Sequence, residues 1–212
     1  MLRREIEMRA FDNSSANKIL SVAGKIKNEE QKILYVFAGP NGSGKSTFIA
    51  NEYLDGQLNV EYVNADLYCR ELFLDIADEN ERNVKAMYYC MDRVEKLIKE
   101  GKSFCYETVL SHSSKLELVQ MAKLAGYKVI STLVYTSSPE INVRRVETRF
   151  SQGGHNVPKD KIVARFARSI ENAKALEKMS DVFLRFDNSK ELQIENLTDL
   201  EIENFEGYQK EK

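Results

Sequence analysis

Residues 32–48 read KILYVFAGPNGSGKSTF, and the fold turns on how this stretch is read. Lys32 to Ala38 form an apolar, β-rich run with the character of a buried strand. Gly39, Gly44, Lys45 and Ser46 fit G-x-x-x-x-G-K-[ST], the phosphate-binding loop. Thr47 to Asn51 then have the character of the first turns of a helix. Strand, glycine-rich loop and helix is the context in which this motif holds phosphate. Glycines at 39, 42 and 44 let the backbone curl so that successive N–H groups point at anionic oxygens. The helix N-terminus adds partial positive charge, and Lys45 adds a full one. Ser46 would offer its hydroxyl to Mg²⁺. The expected nucleotide-binding residues are therefore Gly39, Pro40, Asn41, Gly42, Ser43, Gly44, Lys45, Ser46 and Thr47. The expected ligand is a nucleoside triphosphate, ATP or GTP, with Mg²⁺.

Composition frames what such a site can serve. A chain of 212 residues suits one α/β domain with a sizeable core. Net charge is −2, so no global field argues for nucleic acid or anionic membrane as partner. The opening stretch, MLRREIEMRAFDN, has no apolar run of signal-peptide length. Nothing approaches the roughly 20 apolar residues of a membrane span. Cys69, Cys90 and Cys105 are odd in number and form no C-x-x-C pair, which reads as buried, reduced thiols. Together these features point to the cytoplasm.

Downstream, helical and strand patterns alternate. NVEYVNAD (59–66) reads as a short strand, and 67–100 carries helical spacing closed by Gly101. KSFCYETV (102–109) is a strand, 114–126 a helix with Gly126 as its cap, and YKVISTLVYT (127–136) the most strand-like run. Residues 137–150 open with Ser138 as N-cap and Pro139 at the first helical position. A turn-rich loop, SQGGHNV (151–157), precedes a long helix opened by Pro158 and running to about Met179, and 181–186 is a last strand. The alternation predicts an α/β, P-loop NTPase fold: a mostly parallel central sheet with helices on both faces and a glycine-rich lid. The expected organisation is a helical N-terminal extension (1–30, with a polar helix over 13–30), a kinase domain (31–187) and a C-terminal tail (188–212).

Ligands in such sheets sit beyond the carboxyl ends of strands, so the residues there decide the chemistry. Asp66 lies just past the second strand, 21 residues after Lys45. It could accept the proton of a hydroxyl attacking a γ-phosphate. It could equally cap a helix starting at Leu67. Glu107 ends a strand of Phe104, Cys105 and Tyr106, where a buried carboxylate needs a partner. With Thr108 it is a candidate for the substrate side. Its candidate partners are a substrate hydroxyl or hydrated Mg²⁺, against a plain ion pair with an arginine. Arg145 and Arg149 stand at i, i+4 before the glycine-rich loop, and Arg165 and Arg168 at i, i+3 after it. Two arginine pairs around one glycine loop suit a lid closing on transferring phosphate, against the alternative of plain surface solvation. His112 and His155 carry no functional assignment.

Six blocks, FAGPNGSGKST, VNADLYCREL, YETVLSH, AGYKVISTLVY, SPEINVRRVETR and GGHNVPKDKIVARFARSIENA, together resemble the zeta toxin family of P-loop kinases, in order from about 32 to 187. The resemblance implies transfer of the γ-phosphate of ATP or GTP to a hydroxyl of a small molecule. The best-known members phosphorylate UDP-N-acetylglucosamine. By the same resemblance Lys45 is the phosphate-gripping lysine, Asp66 the catalytic base, Glu107 the strand-end acid of the substrate site and Arg145 the first lid arginine. The family's second lid arginine falls near Gly154 and His155 here, so Arg149 or Arg165 would supply that charge. A separate antitoxin protein is the implied partner. The GGHNVP form is typical of short chromosomal relatives and leaves the acceptor open.

Three other readings have weaker support. An ABC-type ATPase would need Asp-Glu after an apolar strand, and FLRFDN has Asn188 in that place. A nucleotide-dependent switch or weak ATPase would leave Asp66 idle and lacks a D-x-x-G motif. A polynucleotide kinase would be expected to carry basic clusters.

Overall fold

The computed structural model describes residues 31–54, 58–152 and 157–189. The helix expected over 13–30, the tail beyond 189 and His155 lie outside these residues. Five strands form one sheet: β1 (Ile33–Ala38), β2 (Glu61–Val63), β3 (Phe104–Thr108), β4 (Lys128–Tyr135) and β5 (Val182–Asp187). Their order across the sheet is β2-β3-β1-β4-β5, and every neighbouring pair is parallel. The helices are α1 (Lys45–Leu54), α2 (Ala65–Glu71), α3 (Glu79–Glu100), α4 (Ser114–Leu124), α5 (Pro139–Ser151) and α6 (Lys159–Met179).

The continuous apolar run of β1 is explained by its central place. Leu34, Val36 and Ala38 face a core shared with Val94 and Leu97 of α3, Val119 of α4 and Leu176 of α6. Ile33, Tyr35 and Phe37 face the opposite core, closed by Phe48 and Ile49 of α1. A strand with period 2 and helices on both faces must be apolar at every position. Cys69, Cys90 and Cys105 are all free and buried, and burial pushes the Cys90 thiol up to about 11, which suits inert packing. Among the described residues no helix is long and apolar enough to cross a membrane.

Two boundaries differ from the expectation. The helix expected over 67–100 is two helices, α2 and α3, with a non-helical stretch from 72 to 78. Asp78 restarts the helix: its carboxylate accepts from Glu81 N at 2.7 Å, an N-cap with an acid three residues on. The second strand ends at Val63, not at 66, because Asn64 caps α2 and the helix begins at Ala65. Asp66 is therefore not the cap but a first-turn residue of α2.

Candidate active site

All five strands run the same way, so the residues leaving β1, β2 and β3 gather at one edge. Register sets Phe37 opposite Glu107 and Ala38 opposite Thr108, so Glu107 lies beside the start of the phosphate loop. Alternation along β3 puts Glu107 on the same face as Cys105, the face covered by α1. Ser46, in the first turn of α1, meets it there: Oγ donates to Glu107 Oε1 at 3.0 Å and Oε2 at 3.3 Å.

The loop itself requires glycine. Gly39 has φ +146° and Gly44 φ +96°, conformations that side chains rarely adopt. A Cβ on Gly39 would sit within the Val134 carbonyl oxygen, and one on Gly44 would collide with Asn188 Nδ2. Gly39→Ala is thus expected to destabilise by ~2–3 kcal/mol, strain and overpacking together. Gly126 at φ +83° has no atom within 4 Å of a built Cβ, so Gly126→Ala should cost only about 1–2 kcal/mol. Urea melts of the two variants compare them directly. Equal midpoints would remove the packing argument.

Lys45 is 6 % exposed and its Nζ donates to the Pro40 carbonyl at 2.9 Å. Burial holds its pKa below the usual lysine range; the Glu107 and Asp66 carboxylates oppose that, and Arg149 adds to it. One ammonium thus feels groups from β3, α2 and α5 together. Ser43 Oγ is fully buried and has no hydrogen-bond partner among the described residues. An orphaned hydroxyl inside a glycine loop fits a phosphate oxygen as the missing partner. Ser46 Oγ beside the Glu107 carboxylate gives two hard oxygen donors, which fits Mg²⁺ held largely by phosphate and water oxygens. No group of three or more His, Cys, Asp or Glu side chains suited to a metal occurs among the described residues.

Other expected residues are distributed less simply. Asp66 is exposed, at the mouth of this edge. Thr108 is buried and its hydroxyl accepts from Leu110 N at 3.0 Å, so it shapes the turn after β3. Arg145 is half-buried and Arg149 exposed on α5. Arg165 Nη1 reaches Asn41 Oδ1 at 3.4 Å, within the phosphate loop. Arg168, by contrast, is turned to the chain after β3, where its Nε donates to the Ser111 carbonyl at 3.1 Å. The two members of this second pair thus reach different partners.

Several polar residues at this edge are not signalled by the sequence motifs. Asn142 Nδ2 donates to the Asn41 carbonyl at 2.6 Å while its Oδ1 accepts from Thr136 Oγ1. Asn188 Nδ2 donates to the Ser43 carbonyl at 2.8 Å. Ser169 donates to the Val109 carbonyl and Asn172 to the Leu110 carbonyl, so with Arg168 one helix binds three successive carbonyls. They hold Leu110 at φ +56°, a left-handed conformation uncommon outside glycine. Tyr62 and Asn64 both donate to Glu107 Oε2, Asn64 at 2.9 Å. The position of Asn188 and Asn64 just past strand ends is the one signal the sequence holds for them.

Comparison with known proteins agrees with this geometry. The family model described as Zeta toxin matches residues 17–194. An uncharacterised protein of Haemophilus influenzae is 26% identical over 132 residues, covering 61% of this chain and 89% of its own. The crystal structure of a candidate kinase from Chloroflexus aurantiacus superposes with a TM-score of 0.57 at 17% identity, over 83% of this chain and 98% of that one. A structure from the PezAT chromosomal toxin-antitoxin system of Streptococcus pneumoniae gives 0.58 at 18% identity, over 95% and 96%. Structural likeness at such identities carries the fold, and the family model, which spans most of the sequence, carries the lineage: the chain belongs to the zeta toxin family.

Proposed function

We propose that this protein is a kinase that transfers the γ-phosphate of ATP or GTP to a hydroxyl of a small molecule. The observation that carries this reading is the gathering, at the carboxyl edge of one parallel sheet, of the phosphate loop with its buried Lys45, the Ser46–Glu107 contact and Asp66 in the first turn of the helix after β2. In this reading Lys45 neutralises charge on the β- and γ-phosphates as it builds in the transition state. Asp66, exposed and outside the loop, takes the proton of the acceptor hydroxyl. The freed oxygen attacks the γ-phosphorus, the bond to the β-phosphate oxygen breaks, and the nucleoside diphosphate leaves. Mg²⁺, when bound, would neutralise the phosphate oxygens, with Ser46 as its ligand from the chain and Glu107 alongside. Arg145 and Arg149 act on the transferring group from α5, and Arg165 joins them from its contact with Asn41. The small apolar cluster of Val143, Val146, Val157 and Ile162 fastens α5 to α6, so these arginines share one rigid mount.

A nucleotide sugar such as UDP-N-acetylglucosamine is the first acceptor to test, since membership of the family favours it. A separate antitoxin is proposed as partner, supported by the toxin-antitoxin origin of the Streptococcus pneumoniae structure. Phosphorus NMR of the protein with ATP, Mg²⁺ and a panel of nucleotide sugars, nucleosides and oligonucleotides tests the reaction. A new phosphomonoester signal that requires both Asp66 and one panel member is the expected result. Free phosphate alone, whichever compound is present, would refute the kinase reading. Labelling of a 5′-hydroxyl oligonucleotide would keep the reaction and replace the acceptor.

A further inference from the structure

Asn64 links the carboxylate of Glu107 to the backbone of Asp66. Its Oδ1 accepts from Asp66 N at 2.7 Å and from Leu67 N at 3.2 Å, capping α2. Two backbone donors at that end fix it as the oxygen. The other end is therefore Nδ2, and it donates to Glu107 Oε2 at 2.9 Å and to the Tyr62 hydroxyl at 2.6 Å. A flipped amide would set its oxygen against the Glu107 carboxylate and its N–H groups against the backbone donors of Asp66 and Leu67, so only the Tyr62 contact could survive, with its direction reversed. Because the Tyr62 oxygen accepts from Asn64, its own proton goes to Glu107. Ser46 supplies the third donor to the same carboxylate. Asn64 is 6 % exposed and Glu107 9 % exposed, so water does not substitute for these contacts freely.

A cap alone would not demand asparagine. Asp, Ser and Thr all offer the oxygen that an N-cap needs. Only asparagine combines that oxygen with an N–H donor at the same reach, and aspartate would turn a second carboxylate on Glu107. We infer that Asn64 is a positioning residue: one amide ties the backbone that carries the proton-accepting Asp66 to the carboxylate of Glu107 beside Ser46, with Tyr62 as its auxiliary. The inference rests on the kinase reading only for the roles given to the two acids.

The test compares Asn64→Ser and Asn64→Asp, which keep a cap oxygen, with Asn64→Ala, which does not, and with Tyr62→Phe, which leaves the cap untouched. Three quantities are measured: melting temperature, ATP affinity by calorimetry with and without Mg²⁺, and acceptor-dependent turnover. Asn64→Ser is expected to melt close to the wild type and to bind ATP normally without Mg²⁺. Its Mg²⁺ requirement should rise on the order of tenfold, as when an orienting partner of a metal-side carboxylate is lost. Turnover at saturating ATP should fall at least as much, and Asn64→Asp should be the more impaired. Tyr62→Phe should show the same shift in smaller measure, and it keeps the test decisive should the Asn64 variants fold poorly. If Asn64→Ser and Tyr62→Phe match the wild type in Mg²⁺ dependence and only Asn64→Ala loses thermal stability, Asn64 is a cap and nothing more. The calorimetric arm needs no acceptor. A missing phosphorylated product in the wild type therefore counts against the kinase reading, and an unmoved Mg²⁺ titration against Asn64.

Discussion

Lys45→Met is expected to lower phosphoryl transfer by on the order of 10³-fold, the scale seen when one preorganised positive or donor group is taken from a transition state. The fold should survive. Lys45 is buried with its pKa depressed by that burial, so an apolar chain of similar length removes a desolvation penalty along with the charge. The Pro40 carbonyl loses a donor, a loss of about 1–3 kcal/mol at most. Acceptor-dependent release of nucleoside diphosphate, followed beside a thermal melt, separates the two effects. Turnover within tenfold of wild type in a folded variant would show that the ammonium is not where charge develops.

Asp66→Asn is expected to lose about 10²–10⁴-fold in acceptor-dependent turnover with ATP affinity retained, the range of a lost general base. Asn64 already caps α2, so the substitution removes no cap. The remaining structural effect is the loss of one acid from the first turn, worth roughly 0.3–1 kcal/mol. A structural residue and a base thus predict different numbers from one variant. A variant melting a few degrees lower with full turnover would return Asp66 to a helix-dipole role.

Much of the fold is legible in residues 32–48, where a strand, a glycine loop and a helix succeed one another with no competing pattern. The parallel sheet is legible in the alternation of elements. Lys45 and Ser46 stand out in the sequence through the phosphate-loop motif, and Asp66 and Glu107 because each lies at or just past the carboxyl end of a strand, where such sheets hold their ligands. The break between α2 and α3 is hidden for a physical reason. Residues 72–78 contain neither glycine nor proline, and apolar residues persist through them, so periodicity alone runs on. The restart is written in Asp78 and Glu81, a cap pair whose meaning depends on noticing that a helix has already ended. Asn64, Asn142 and Asn188 are harder. An asparagine's reading depends on which groups come near it, and the long-range partners of these three, Glu107, the Asn41 carbonyl and the Ser43 carbonyl, lie 43, 101 and 145 residues away in sequence. The contact of Arg168 is hidden for the same reason, since its partner is a carbonyl of a distant turn.

The polar stripe of α6 has a consequence for how this sequence tolerates change. Arg165, Arg168, Ser169 and Asn172 recur at the spacing that usually marks an apolar helix face. Here that face meets bare polar groups, Asn41 on one side and the carbonyls of 109–111 on the other. These polar contacts lie between Ile162, packed in the small cluster with α5, and Leu176, packed in the main core. Apolar substitution along this face, which the spacing alone would invite, is therefore expected to strand backbone carbonyls rather than extend the core.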